Sequence, residues 1–221
     1  MPTQLGLDLP VRTAHGRDDF LVAPSNAMAV AMIENWRNWS GAKMVLTGPP
    51  GAGKTHLTHV WADAATARII SARELRSDDV PALAAQSIAV EDVPLIAQDP
   101  AAQTALFHLH NMVLAEGHSL LLTGTGAVPH WGLTLPDLVS RLRGALEASI
   151  DAPDDALLSA VLVKLLADRQ LMPPADVVPY LLKRMDRSFA AARDVVEALD
   201  RESLAAKRPI TRALAALVLD K

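Results

Sequence analysis

Cysteine is absent from all 221 residues. That excludes a disulfide framework and any thiolate metal site. Long basic blocks are absent too, the densest basic pairs being Lys183-Arg184 and Lys207-Arg208. With 21 basic and 25 acidic residues the net charge is −4, which argues against a large autonomous DNA-binding surface and leaves little direct DNA contact to expect. No uninterrupted apolar stretch is long enough to span a bilayer. The start, Met1-Pro2-Thr3-Gln4, lacks the charged and apolar regions of a signal peptide. A cytoplasmic protein with no membrane partner is the expectation. The seven histidines do not gather into a metal site: His56 and His59 share a helix face without a third ligand, and His108 and His110 point different ways. Neither a Ser/His/Asp arrangement nor an internal repeat is legible.

What is present is ample apolar material, half of all residues, enough for a substantial core. Residues 1–18 read as a polar tail. Residues 19–150 alternate apolar runs with helical patterns. Candidate strands are Met44–Thr47, Arg68–Ser71, Ser87–Val90, Ser119–Thr123 and Leu146–Ile150. Asp99-Pro100 is a cap and first-turn pair for one intervening helix, in which Ala102, Leu106, Leu109 and Val113 recur at helical spacing. This alternation predicts an α/β fold, a parallel five-stranded sheet flanked by helices. From Asp151 the pattern becomes helical throughout. Leu158, Val161, Leu162 and Leu165 make one stripe, Phe189, Ala192, Val196 and Leu199 a second, and Ile210, Leu214 and Leu217 a third. Residues 151–221 therefore read as a small helical unit, broken at Pro173-Pro174 and Pro209.

The most informative segment is Gly48-Pro49-Pro50-Gly51-Ala52-Gly53-Lys54-Thr55-His56. It is a complete G-x-x-x-x-G-K-[ST] phosphate-binding loop. Small residues let the backbone wrap around phosphates with its N–H groups inward. Lys54 can reach the β and γ phosphates, and the Thr55 hydroxyl can hold Mg²⁺. An apolar run precedes the loop, and a helix with its N-terminus toward the anion can follow it. A nucleoside diphosphate or triphosphate is the expected ligand.

Three further segments are suggestive without being decisive. Ser87-Ile88-Ala89-Val90-Glu91-Asp92 is an apolar strand ending in two acids. Near a phosphate loop such acids can bind Mg²⁺ and orient water, although strands often end in acids. Pro136-Asp137-Leu138-Val139-Ser140-Arg141-Leu142-Arg143 carries two arginines, which pattern alone reads as surface charges or as an arginine finger. Gln4-Leu5-Gly6-Leu7-Asp8-Leu9 puts leucines at alternate positions in a polar tail, consistent with a docking peptide or with an edge strand.

Taken in order, these motifs resemble the DnaA-related AAA+ family of P-loop NTPases. The carrying residues are Asp19-Phe20-Leu21-Val22-Ala23-Pro24-Ser25-Asn26, the loop with its His56-Leu57 extension, Glu91-Asp92, Leu135-Pro136-Asp137-Leu138-Val139-Ser140-Arg141-Leu142, and Asp186-Arg187-Ser188-Phe189. The resemblance spans roughly residues 4–220. It is strongest to the regulatory members of the family, which inactivate the initiator and stop soon after the helical lid, without the helix-turn-helix domain that reads DNA boxes. It implies a tail at 1–18, an AAA+ base domain at 19–150 and a helical lid domain at 151–221. It implies ADP or ATP with Mg²⁺, bound by Gly48 to His56, with Leu21 and Val22 near the base and Arg187 sensing the nucleotide from the lid. It makes Thr55 and Glu91 the Mg²⁺ ligands, Glu91 and Asp92 the acids of the second motif, and Arg141 the finger. It makes Gln4, Leu5, Leu7 and Leu9 a peptide for the β subunit of the DNA polymerase III sliding clamp on DNA. Glu91 stands where the family usually has Asp, and Thr123-Gly124-Thr125 lacks the common Asp or Asn of the first sensor. The extra methylene of Glu91 implies weak hydrolysis by this chain itself.

The implied function is a nucleotide-bound regulator, docked on the clamp, that promotes hydrolysis of DnaA-bound ATP and so restrains initiation of chromosomal replication. Homo-oligomers are compatible with such a module. Two other readings stay open on sequence: a free-standing ATPase that loads or remodels a DNA-bound partner, and a DnaA–clamp adaptor without catalysis.

Overall fold

The computed structural model describes residues 21–220. The docking residues Gln4, Leu5, Leu7 and Leu9 lie outside them, as do Asp19 and Phe20. Five strands form one sheet: β1 (Lys43–Thr47), β2 (Arg68–Ser71), β3 (Ile88–Glu91), β4 (Leu120–Gly124) and β5 (Leu146–Ser149). Their order is β2-β3-β4-β1-β5, every adjacent pair parallel. The residues explain the order. Met44-Val45-Leu46 of β1 and Leu120-Leu121-Leu122 of β4 are apolar on both faces and fully buried, as strands interior to a parallel sheet must be. In β5, Glu147 and Ser149 are exposed while Ala148 is buried, an alternation suited to an edge.

Parallel strands need crossovers, and helices supply them. Helix α1 (Ala27–Glu34) precedes β1, and α2 (Lys54–Ala65) joins β1 to β2. The short α3 (Val80–Leu83) and the long α4 (Pro100–Ala115) follow β2 and β3. Helix α5 (Pro136–Arg143) joins β4 to β5. The Asp99 carboxylate accepts from Ala102 N at 3.0 Å, so the expected cap of α4 is made. Successive strand residues face opposite ways. Met44, Leu46 and Leu121 accordingly pack with α1 and α2, while Val45, Leu120 and Leu122 pack with α4 and α5.

Beyond β5 come α6 (Asp155–Asp168), α7 (Val177–Leu182), α8 (Phe189–Ala206) and α9 (Arg212–Leu219). They share a separate core of Leu158, Leu162, Leu166, Val177, Leu181, Val196 and Leu199. Each such buried side chain contributes roughly 1.5–3 kcal/mol. Asp154, Ser188 and Thr211 cap α6, α8 and α9 with their side-chain oxygens. Of the third expected stripe, Ile210 is buried and Leu214 packs against this core, and Leu217 is corrected. Leu217 is 51% exposed, and Ala215 is buried in its place. Ile210 reaches the core from ahead of the Thr211 cap, outside α9. No helix among the described residues is long and apolar enough to cross a membrane.

Candidate nucleotide site and the arginine-bearing helix

The strands end together at one end of the sheet, its head. There β1 stops at Thr47 and the phosphate-loop residues Gly48–Gly53 lead into α2 at Lys54. Two glycines are required by close approach. A Cβ on Gly48 would fall 2.5 Å from Ile150 O. A Cβ on Gly51, whose φ is +71°, would fall 2.6 Å from Ser188 Cβ. Pro49 and Pro50 are exposed at the crest, and Ala52 is buried beneath it. The Lys54 ammonium folds over the loop, donating to Gly48 O at 2.8 Å and Pro49 O at 3.0 Å. Burial lowers its pKa, and Asp92 and then Glu91 pull the other way. Phosphate oxygens would offer the same ammonium charged acceptors, roughly doubling the strength of each bond.

The two acids close the other side of the loop. Burial pushes the Glu91 carboxyl up, opposed by a hydrogen bond from Thr55 and reinforced by the neighbouring Asp92. Its Oε1 is buried without a hydrogen-bond partner. A carboxylate oxygen left in that condition beside the Thr55 hydroxyl suits a divalent cation. Among the described residues no three His, Cys, Asp or Glu gather as a metal cage, so a cation here would depend on phosphate oxygens and water for its remaining ligands. Asp92 takes a left-handed backbone, φ 57° and ψ 45°. Its N–H donates to Thr123 Oγ1 at 3.2 Å. Thr123 is buried on β4, which lies between β1 and β3. The segment expected at the first-sensor position therefore meets the acids through a hydroxyl.

Two flanks complete the head. Asn26, buried, accepts from Ala23 N and donates to Leu21 O, both at 2.9 Å. Ser25 O accepts from Asp151 N at 2.9 Å. The Leu21–Val22 segment is thereby tied to the Ile150–Asp151 corner that also touches Gly48, with Val22 exposed. From the helical unit, Phe189 N donates to Gly51 O at 2.9 Å. Arg187, two residues earlier, pairs with Asp155 of α6 at 3.0 Å, both side chains being more than 60% exposed. Such an exposed pair contributes at most about 1 kcal/mol and breaks readily. His56 is half-buried on α2. Asn26, Ile150, Ser188 and Phe189 escaped the sequence reading as site builders. Asn26, Ser188 and Phe189 stood in the motifs that carry the resemblance, and Ser188 also reads as a serine ahead of an apolar stripe.

Arg141 is not among the residues gathered at the head. It is exposed on α5, where Leu138 and Leu142 are the buried pair. Its backbone carbonyl accepts from Lys43 Nζ at 3.1 Å. Lys43 opens β1 and the phosphate loop follows its last residue, so the two lie at opposite ends of a strand about 13 Å long. Arg143 is also exposed.

Comparison with known proteins agrees with this architecture. Residues 155–218 match the family model for Hda, lid domain. Domain III of the Thermotoga maritima replication initiation protein DnaA superposes with a TM-score of 0.84 at 19% identity, covering 96% of this chain and 98% of that one. AMPPCP-bound DnaA from Aquifex aeolicus gives a TM-score of 0.70 at 17% identity, covering 86% of this chain and 68% of that one. The Thermotoga maritima RuvB Holliday junction branch migration motor gives 0.71 at 16% identity, covering 93% and 71%.

Proposed function

We propose, for a chain that is a DnaA-related AAA+ protein resembling Hda, that it is a nucleotide-bound regulator acting in trans on ATP held by DnaA. The observation that carries this reading is the separation of Arg141 from the chain's own phosphate loop along β1. A guanidinium at the foot of the sheet is badly placed for the nucleotide at its own head. It is well placed, exposed on α5, to enter a site on a neighbouring molecule. A finger supplied in trans stabilises charge on the transferring phosphoryl group and contributes roughly 10³–10⁵ in rate.

In this reading Gly48–His56 hold ADP or ATP, Lys54 meets the phosphates, and Thr55 with Glu91 holds Mg²⁺. Leu21 and Val22 approach the base. Arg187 leaves Asp155 for the nucleotide. Asp92 and Thr123 keep the acid-bearing strand end in register. Already engaged with Thr55 and committed to the cation, Glu91 is not free to serve as the base for the chain's own hydrolysis. Gln4, Leu5, Leu7 and Leu9 dock on the β sliding clamp of DNA polymerase III and bring the protein to DNA-loaded clamps. The outcome is ADP-bound DnaA and restraint of re-initiation in the cytoplasm.

Hydrolysis of DnaA-bound ATP, followed with and without this protein, clamp and DNA, tests the proposal. Acceleration requiring all three supports it. A substantial ATPase rate of the chain alone, independent of DnaA and clamp, would instead favour a free-standing remodelling enzyme. Full activity after replacement of Arg141 would favour a non-catalytic adaptor.

A further inference from the structure

Helix α5 is held at both ends by α4. At its start, Gln103 of α4, fully buried, accepts on Oε1 from Thr134 N at 2.9 Å and Leu135 N at 3.0 Å. The same side chain donates from Nε2 to Ile96 O and Ala97 O. At its end the contact is indirect. His110, seven residues along α4 and so on the same helix face, is 2% exposed. Its Nδ1 lies 3.0 Å from Asn111 Oδ1, and its Nε2 lies 3.2 Å from Lys43 Nζ. That Nζ also donates to Arg141 O at 3.1 Å. The amide oxygen can only accept, so the neutral ring carries its proton on Nδ1 and offers Nε2 as acceptor to the ammonium. The result is a continuous chain in which Lys43 donates both to Arg141 O and to His110, and His110 donates in turn to Asn111.

We infer that Lys43 and His110 are positioning residues for Arg141, fixing the last turn of α5 so that its guanidinium is presented in one orientation. This rests on the reading of Arg141 as a finger acting in trans. Protonating Nε2 would turn the acceptor into a donor facing an ammonium, and the chain would break. The groups that bear on His110 are Asn111 from its own helix, Lys43 from β1 and Arg141 from α5. On the same sheet face, β4 presents the apolar Leu120 and Leu122. Burial, opposed by the Asn111 hydrogen bond and aided by the Lys43 and Arg141 cations, lowers the His110 pKa below its ordinary range. The intact chain is thus the state at neutral pH, and acidification below about 6.5 is the direction that breaks it.

The test measures the ratio of stimulated to unstimulated hydrolysis of DnaA-bound ATP between pH 5.5 and 8, with clamp and DNA present. The proteins are wild type, Lys43→Met, Lys43→Arg, His110→Gln and Arg141→Ala. Lys43→Met keeps the apolar stem, removes the donor and should lower the ratio about tenfold at neutral pH, since small misplacements of a catalytic group are costly. Lys43→Arg, which still donates, should recover most of that loss. The wild-type ratio should fall on acidification. His110→Gln accepts from Lys43 without titrating and should lose this acid limb. Circular dichroism and ADP affinity establish folding, and if Lys43→Met is unfolded, His110→Gln decides alone. A wild-type ratio for Lys43→Met, or an acid limb retained by His110→Gln, overturns the inference. An undiminished ratio for Arg141→Ala overturns instead the finger reading on which it rests.

Discussion

The two ends of β1 differ in kind. At the head, the charged groups are partly buried and engaged with one another. Lys54 is folded on loop carbonyls, Glu91 is desolvated, and the lid is bonded to Gly51. At the foot, a backbone carbonyl is held by Lys43, which rests on the buried His110, while the side chain that could act, Arg141, is left in solvent. In the proposed function the head encloses the chain's own nucleotide and the foot presents a cation outward. One strand therefore separates what the molecule binds from what it can offer to another molecule, and changes at one end should leave the other working.

The largest expected effect breaks the head alone. Lys54→Ala removes the ammonium over the loop and should weaken ADP and ATP binding by on the order of a hundredfold or more. Calorimetry should show this with the circular dichroism spectrum unchanged. Equal affinities would remove Lys54 from the site. Next, deletion of residues 1–10 should cost most of the clamp affinity in surface plasmon resonance and leave nucleotide affinity as it was. A truncated chain that still docks would place the clamp contact on the folded module.

A smaller change sharpens the link between head and lid. Gly51→Ala sets a methyl group against Ser188 at a left-handed backbone position, costing about 1–3 kcal/mol. The melting temperature should fall and nucleotide affinity should weaken together. A loss of one without the other would mean that the lid contact is not part of the site. The smallest effect concerns Glu91→Gln. Its folded pKa lies above the ordinary 4.5, so between those values the folded chain binds more protons than the unfolded one. Stability then declines as pH rises through that window, and at neutral pH the ionised carboxylate is a standing cost. Without nucleotide, Glu91→Gln should melt slightly higher than wild type at pH 7 and show no advantage near pH 4. A lower melting temperature at pH 7 would contradict the desolvation argument.

Much of the head was legible in sequence because its signals are local. A glycine-rich loop between an apolar run and a helix is read from a dozen residues. The five strands stood out because interior parallel strands are short, apolar on both faces and bounded by turns, as Leu120–Leu122 are. What escaped depends on distance in the chain. The order that inserts β4 between β1 and β3, the seat of Ser188 on Gly51, and the Asn111–His110–Lys43 chain each join residues tens of positions apart. His110 read as one more scattered histidine because nothing in its neighbours names Lys43. Period counting also failed at one position, Leu217, where α9 buries Ala215 instead.

The central claim is that Arg141 serves a nucleotide other than the chain's own. It is tested most directly by one paired measurement on wild type and Arg141→Ala. The pair is single-turnover hydrolysis of radiolabelled ATP preloaded on DnaA, with clamp and DNA, and the affinity of each protein for ADP. The account predicts that Arg141→Ala loses stimulation by about 10³-fold while its ADP affinity equals that of wild type. Stimulation near the wild-type level, or a loss of ADP affinity in step with the loss of stimulation, would contradict it.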